Sequence, residues 1–253
     1  MPVPSGEVLF ARYAYPPNDL GHCGPPGAAV LLAGGASALG QPEVRERAPY
    51  FEGAWLYLRL LAATAGVDPL DARVVTAYWL GGDLLDTVDP DRLARTVGRG
   101  FGGQPGVRER LADTPDVAIA GASHAFHVFV VYPWVGLLGG RSDVPRAVLD
   151  SCRIRWGTVE TLDGERADVR SRPLTWDGSV LGLGNERVET VRWSQDRHAF
   201  VRGLRVGEQV SLHWDWVCDR LDDGQVATLA DRTKRQLTTT NTWLALQSQR
   251  SFA

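Results

Sequence analysis

The fold is decided by a stretch that opens Ser151-Cys152-Arg153-Ile154-Arg155-Trp156-Gly157-Thr158-Val159-Glu160-Thr161-Leu162-Asp163-Gly164 and closes Val206-Gly207-Glu208-Gln209-Val210-Ser211-Leu212-His213. The Asp163-Gly164 dipeptide predicts a hairpin, because glycine tolerates the positive φ that tight turns need. Short runs of alternating apolar and polar residues follow, at 167–171 and 188–193, with the period of half-buried strands. Five or six such strands predict a small closed β-barrel.

The end of this stretch predicts one more strand and a closing helix. The last strand is expected at Gln209 to Trp214, and a charged, leucine-containing helix is expected from Gln225 to Leu246. Cys218, between them, is expected to follow the last strand and pack under the helix.

The two ends of the stretch carry a resemblance to a known family. Cys152, with Gly157-x-Val159 and Asp163-Gly164 after it, resembles the start of the HypC/HupF family of [NiFe]-hydrogenase maturation chaperones. The run from Val206 to His213 is similar to the family's Val-Gly-Asp-Tyr-Val-x-x-His signature. In the family the cysteine directly follows the initiator methionine, whereas Cys152 lies in the middle of this chain.

The resemblance implies a HypC-like (OB-like) β-barrel and a role for two residues. In that family the cysteine and the histidine bind or transfer the Fe(CN)2CO precursor to the hydrogenase large subunit, together with another maturation protein. Carried to this chain, those roles fall on Cys152 and His213, with iron as the bound metal. A thiolate and an imidazole also suit low-valent iron better than hard oxygen ligands do.

The half of the chain before this stretch is predicted to be mainly helical. Together with the predicted barrel, this gives the fold class α+β. We expect a helical domain over 1–147 and the barrel with its closing helix over 148–253. The first helix is predicted to stop at Pro16-Pro17, because proline lacks the backbone N–H. A glycine-rich loop is predicted over Gly98 to Gly106, and the β-branched and aromatic run Val128 to Tyr132 favours a strand.

Four potential metal ligands occur in two places of the helical half: His22 with Cys23, and His124 with His127. One hypothesis is that they form a metal-dependent active site of their own, which makes or installs the CO ligand of the hydrogenase cofactor. The alternative is structural: Cys23 as a small buried apolar group, and the histidines as core residues bonded to the backbone. The sequence leaves open whether the protein is an enzyme.

Composition narrows the classes of partner. The net charge of −3 gives no electrostatic case for binding nucleic acid. The longest apolar run is too short for a membrane span. Three cysteines without a secretion signal predict reduced thiols in a cytoplasmic protein. Nine tryptophans leave a third hypothesis open, a non-catalytic chaperone that binds its partner through aromatic surfaces.

The whole chain also resembles an uncharacterised bacterial family whose genes occur beside [NiFe]-hydrogenase genes. The matching segments are Phe10-Ala11-Arg12-Tyr13-Ala14-Tyr15-Pro16-Pro17-Asn18, Gly21-His22-Cys23-Gly24-Pro25 and His213-Trp214-Asp215-Trp216-Val217-Cys218. This resemblance names no activity. It implies a partner among the hydrogenase large subunit or other maturation proteins.

Overall fold

The computed structural model describes residues 4–37, 42–113 and 121–251, which form a mixed helix and sheet fold with a long C-terminal helix. The described helices, in chain order, are α1 Gly6–Asp19, α2 Ala29–Ala36, α3 Pro42–Arg47, α4 Glu52–Ala65, α5 Ala72–Leu80, α6 Pro90–Phe101, α7 Val107–Asp113, α8 His124–Phe126, α9 Val144–Cys152 and α10 Asp223–Ser251. The predicted helical first half and the predicted C-terminal helix are confirmed.

Helix α1 does not stop at Pro16-Pro17, as the sequence predicted, but runs through both prolines to Asp19. A proline inside a helix removes the hydrogen bond to the carbonyl four residues earlier. Near the end of a helix that loss is small. Here it also leaves the Tyr13 carbonyl without a donor at position 17.

The predicted loop from Gly98 is also wrong at its start, because α6 continues to Phe101. A Cβ at Gly100 would lie 2.4 Å from the Leu56 side chain. Glycine therefore allows α6 to pack closely against α4, and this close contact outweighs glycine's poor helix propensity.

The segment Val128 to Tyr132 is not a strand. The chain enters α8 at Ser123, whose Oγ accepts from the Phe126 amide at 3.2 Å. It then continues as a π-helix over His127–Val131. Residues 128–131 are buried on every side. A helix that is apolar all round is a core helix, and its sequence has no period that separates it from a strand.

The strands are β1 Arg155–Asp163, β2 Arg166–Ser171, β3 Leu174–Trp176, β4 Leu181–Leu183, β5 Arg187–Arg192, β6 Ser194–Gln195, β7 His198–Ala199, β8 Gln209–His213 and β9 Trp216–Arg220. The β1–β2 hairpin at Asp163-Gly164 is confirmed. The hydrogen-bonded order β1-β2-β5-β9-β8 returns from β8 to β1, so the pairing closes on itself. It closes between β5 and β9 through one parallel residue pair, Arg192 with Trp216.

The final strand corrects one prediction. Cys218 does not follow the last strand but lies on β9, which pairs with β8, and it is fully buried. The short hairpins β3–β4 and β6–β7 lie outside the ring of five strands.

Helix α1 packs against β8 and β9 and so joins the two halves of the chain. Tyr15 meets Trp216 edge-on with ring centroids 4.9 Å apart. Arg12 forms an ion pair with Asp219 at 2.6 Å. The Tyr13 hydroxyl lies 2.8 Å from Ser211 Oγ. One hydrophobic core therefore contains residues from both sides of the predicted boundary at residue 147, and the site described next lies at this junction.

Candidate metal centre

A cavity of about 410 Å³ lies where α1, α4, α5, α8, α9 and β8 meet. All six candidate residues from the sequence line it: His22, Cys23, His124, His127, Cys152 and His213. The sequence suggested two separate sites, one in each half. The structure brings both sets of residues to one cavity.

Three of these residues form a cluster at the buried end. His124, Cys152 and His213 each offer one donor atom, and these atoms all lie within 4.8 Å of one another. Among the described residues, this is the group of three or more such side chains that is close enough to hold one ion. A cysteine sulfur and two imidazole nitrogens form a ligand set for zinc, iron, nickel or copper.

His213 is the last residue of β8, and its ring is oriented by helix α1. Its Nδ1 donates to the Tyr13 carbonyl at 2.7 Å. That carbonyl is the one left without a helical donor by Pro17. The buried Nε2 makes no hydrogen bond with any described residue. A ring held through Nδ1–H by a backbone carbonyl presents a lone pair at Nε2, which is typical of metal-binding histidine.

His124 is oriented in the same way by the end of α9. Its Nε2 lies 2.7 Å from the carbonyl of Cys152, the last residue of that helix. The last carbonyls of a helix have no intrahelical donor, so this one is free to accept. Because Nε2 carries the proton, Nδ1 keeps a lone pair. The Tyr78 hydroxyl lies 3.4 Å from Nδ1 and donates to the Gly53 carbonyl at 3.1 Å.

Burial keeps all three groups uncharged at neutral pH. It lowers the pKa of His124 to about 4, against a smaller opposing effect of the bond to the Cys152 carbonyl. It also lowers the pKa of His213 well below the ordinary value, and the neighbouring His124 adds to the effect. Burial raises the pKa of the Cys152 thiol. The two imidazoles are therefore ready to bind a metal, whereas the thiol must lose its proton on binding.

The other end of the cavity opens to solvent. His22, Tyr50 and Glu52 line it there and are exposed, while the cluster itself is buried. His22 stacks on Trp214, with ring centroids 4.2 Å apart. His22 and Cys23 line the cavity without belonging to the cluster. A ligand can therefore reach the buried end from outside.

The Cys23 loop is fixed by the end of α1. Asn18 Nδ2 donates to the carbonyls of Cys23 and Pro25, at 2.7 and 2.8 Å. Burial raises the pKa of the Cys23 thiol to about 12. Cys23 therefore faces the cavity as an uncharged thiol.

His127 lies on the same helical segment as His124, outside the cluster. Its Nδ1 lies 3.2 Å from the buried Tyr57 hydroxyl. Burial lowers its pKa to about 3, with a smaller contribution from His124. It faces the cavity as a neutral imidazole.

Sequence reasoning missed the residues that orient the ligands, Tyr13 with Pro17 and the carbonyl of Cys152. From the sequence, the Pro16-Pro17 pair predicts only a helix stop. A proline inside a helix also leaves the carbonyl four residues earlier without its helical hydrogen bond. For Pro17 that carbonyl belongs to Tyr13, and this is the signal that could have identified Tyr13.

The chain belongs to DUF6390, a family of unknown function, whose model matches residues 2–247. Comparisons with curated proteins and with solved structures give no significant match. None of the helices within the described residues is long and apolar enough to cross a membrane.

Proposed function

We propose that this protein is an accessory protein of [NiFe]-hydrogenase maturation that binds iron, as the Fe(CN)2CO precursor, through Cys152 and His213. The observation that supports the proposal is the position of these two residues. The resemblance to HypC/HupF selected two residues that lie 61 positions apart in the chain. In the fold their donor atoms lie within 4.8 Å of each other. On this proposal the closed ring of strands is the HypC-like barrel.

On this proposal His124 is the third ligand, because its donor atom lies within 4.8 Å of those of Cys152 and His213. This imidazole comes from the helical half, which on this proposal completes a centre that the barrel carries in part. Three protein ligands leave further coordination positions of iron for ligands that the precursor brings with it. The protein's own contribution is to hold the sulfur and the two nitrogens in place at the buried end of the cavity.

The charge of the cavity fits this cargo. Iron(II) with two cyanides and one carbon monoxide carries no net charge, so burying it costs far less than burying a bare divalent ion. Glu52 is the only Asp, Glu, Lys or Arg among the described residues that line the cavity, and it is exposed at the mouth. Eight of the described lining residues are Phe, Tyr or Trp.

A second candidate is a metal-dependent enzyme of cofactor assembly, acting in the same cavity. The observation that favours it is that three potential ligands lie at the buried end of an open cavity. Catalytic metal sites commonly have three protein ligands and an open position facing a cavity. The sequence placed this activity on His22, Cys23, His124 and His127 alone. Of these four, only His124 lies in the cluster.

The test is the metal content and infrared spectrum of the full-length protein, purified without oxygen from a host that expresses a [NiFe]-hydrogenase. We expect iron with CN and CO stretching bands. Both should be lost in Cys152→Ala, and in His213→Ala or His124→Ala the iron content should fall at least tenfold.

Two variants serve as controls. Cys218→Ala removes a buried thiol that does not line the cavity, and His198→Ala removes an exposed imidazole. Both should retain the iron. Iron without the CN and CO bands would favour the enzyme over the carrier. If the wild-type protein contains no metal but binds the hydrogenase large subunit, it is the non-catalytic chaperone instead.

A further inference from the structure

The cavity extends from the metal cluster to a second imidazole that the cluster does not use. His127 follows His124 by three residues, so both rings project from one face of the same helical segment. The Tyr57 hydroxyl lies 3.2 Å from His127 Nδ1 and has no other hydrogen-bond partner among the described residues. A buried hydroxyl proton needs an acceptor, and Nδ1 is the one within reach. The proton of the neutral ring then lies on Nε2, which becomes a donor.

Gly53 keeps the space beside this donor open. A Cβ at Gly53 would lie 2.9 Å from His127 Nε2. The carbonyl of the same glycine accepts from Tyr78, whose hydroxyl is the neighbour of His124 Nδ1. The Gly53 backbone therefore borders both the His127 donor and the His124 lone pair, and it lines the cavity with them.

The size of the cavity and the charge of its lining residues restrict the class of molecule that can bind there. About 410 Å³ is far more than one ion or one water occupies. No Lys or Arg is among the described residues that line the cavity, so a multiply charged anion has no permanently charged partner there. A small neutral or singly charged molecule with a terminal acceptor atom is the class that fits.

We propose that His127 Nε2–H is a second binding point of the site. It hydrogen-bonds the outer acceptor atom of a small molecule whose other end is bound to the metal held by His124, Cys152 and His213. This inference rests on the proposed metal centre. Tyr57 is a positioning residue, because it fixes which ring nitrogen of His127 carries the proton. Gly53 is the residue that leaves room for the molecule.

The test uses Co(II) as the metal and azide as the small molecule, because azide binds a metal through one end and accepts a hydrogen bond at the other. The Co(II)-loaded full-length protein is titrated with azide and followed by visible absorption. We expect the azide Kd to rise at least tenfold in His127→Ala, which corresponds to about 1.4 kcal/mol. The Kd for Co(II) should change less than threefold.

Two further variants keep the inference falsifiable if His127→Ala does not fold. His127→Gln keeps an N–H near the position of Nε2 and should recover most of the azide affinity. Tyr57→Phe leaves the His127 proton free to move to Nδ1, so it should weaken azide by a few-fold and leave Co(II) binding unchanged. His198→Ala, at an exposed position, is the control and should match the wild type.

The outcomes separate the inference from the function it rests on. Failure of the wild-type protein to bind Co(II) would overturn the metal centre, and with it the inference. Normal Co(II) binding with no azide binding would overturn the inference alone. The inference alone would also be overturned if azide binds equally to the wild type and to every folded variant of His127 and Tyr57.

Discussion

At the scale of single residues, the cavity is defined by three histidines that burial keeps neutral. His124, His127 and His213 all have a pKa below the ordinary value for that reason. Two of them are fixed by a carbonyl that accepts from one ring nitrogen and leaves the other with a lone pair. Hydrogen bonds to backbone carbonyls thus orient both histidine ligands.

The same shifts predict a pH dependence of stability for the metal-free protein. The ordinary pKa of 6.5 applies in the unfolded chain, while in the folded chain it is about 4 for His124 and about 3 for His127. The unfolded state therefore binds more protons, and the free energy of unfolding falls as the pH falls from 6.5 through these values. Each histidine contributes at most about 1.4 kcal/mol per pH unit. Urea unfolding with a chelator present, between pH 7.5 and 5, measures the slope.

Matched variants assign that slope to its residues. His127→Gln removes one of the three buried histidines. The change of the unfolding free energy with pH should therefore become smaller by up to about 1.4 kcal/mol per pH unit, which corresponds to one proton. His198→Ala removes an exposed imidazole and should leave the slope as it is. An unchanged slope in His127→Gln would contradict the assignment.

At the scale of secondary-structure elements, the sequence predicted those elements that have a local signal. The hairpin at Asp163-Gly164 was predicted because the turn is encoded in two residues. The segment Val128 to Tyr132 was predicted incorrectly as a strand, because residues 128–131 are buried on all sides and carry no period. The path of α1 through Pro16-Pro17 depends on packing against β8 and β9, which no local pattern contains.

The course of α1 predicts an effect of a single proline on metal binding. Pro17→Ala would supply an N–H four residues after Tyr13, and it would compete with His213 Nδ1 for the Tyr13 carbonyl. We expect a metal Kd about threefold to tenfold weaker, the range that one such hydrogen bond gives. Stability should be unchanged or higher, since alanine favours the helix. Titration with Co(II), alongside urea unfolding, checks both.

The neighbouring proline provides the control for this effect. Pro16→Ala would restore an N–H facing the carbonyl of Arg12, which does not contact His213. Its metal Kd should match that of the wild type. Equal weakening by Pro16→Ala and Pro17→Ala would show that helix geometry, and not the Tyr13 carbonyl, controls the site.

At the scale of the whole molecule, one site is shared between the two halves of the chain. The sequence contained every ligand but assigned them to two places, because the docking of α1 and α8 on β8 depends on contacts between distant residues. His124 lies 28 residues before Cys152, and Tyr13 lies 200 residues before His213. The predicted boundary at 147 thus separates residues that line one cavity.

A shared centre predicts that metal binding stabilises both halves at once. A ligand at 100 times its Kd stabilises the folded state by about 2.7 kcal/mol, and for a chain of this size that raises Tm by about 5–10 °C. Hydrogen exchange of the wild-type protein should slow in His124–Val131 and in Gln209–His213 together when Co(II) is added. Cys152→Ala should show neither the rise in Tm nor the protection. Protection limited to one segment would mean that the metal is held by one half alone, and the cluster of three would then not be the binding site.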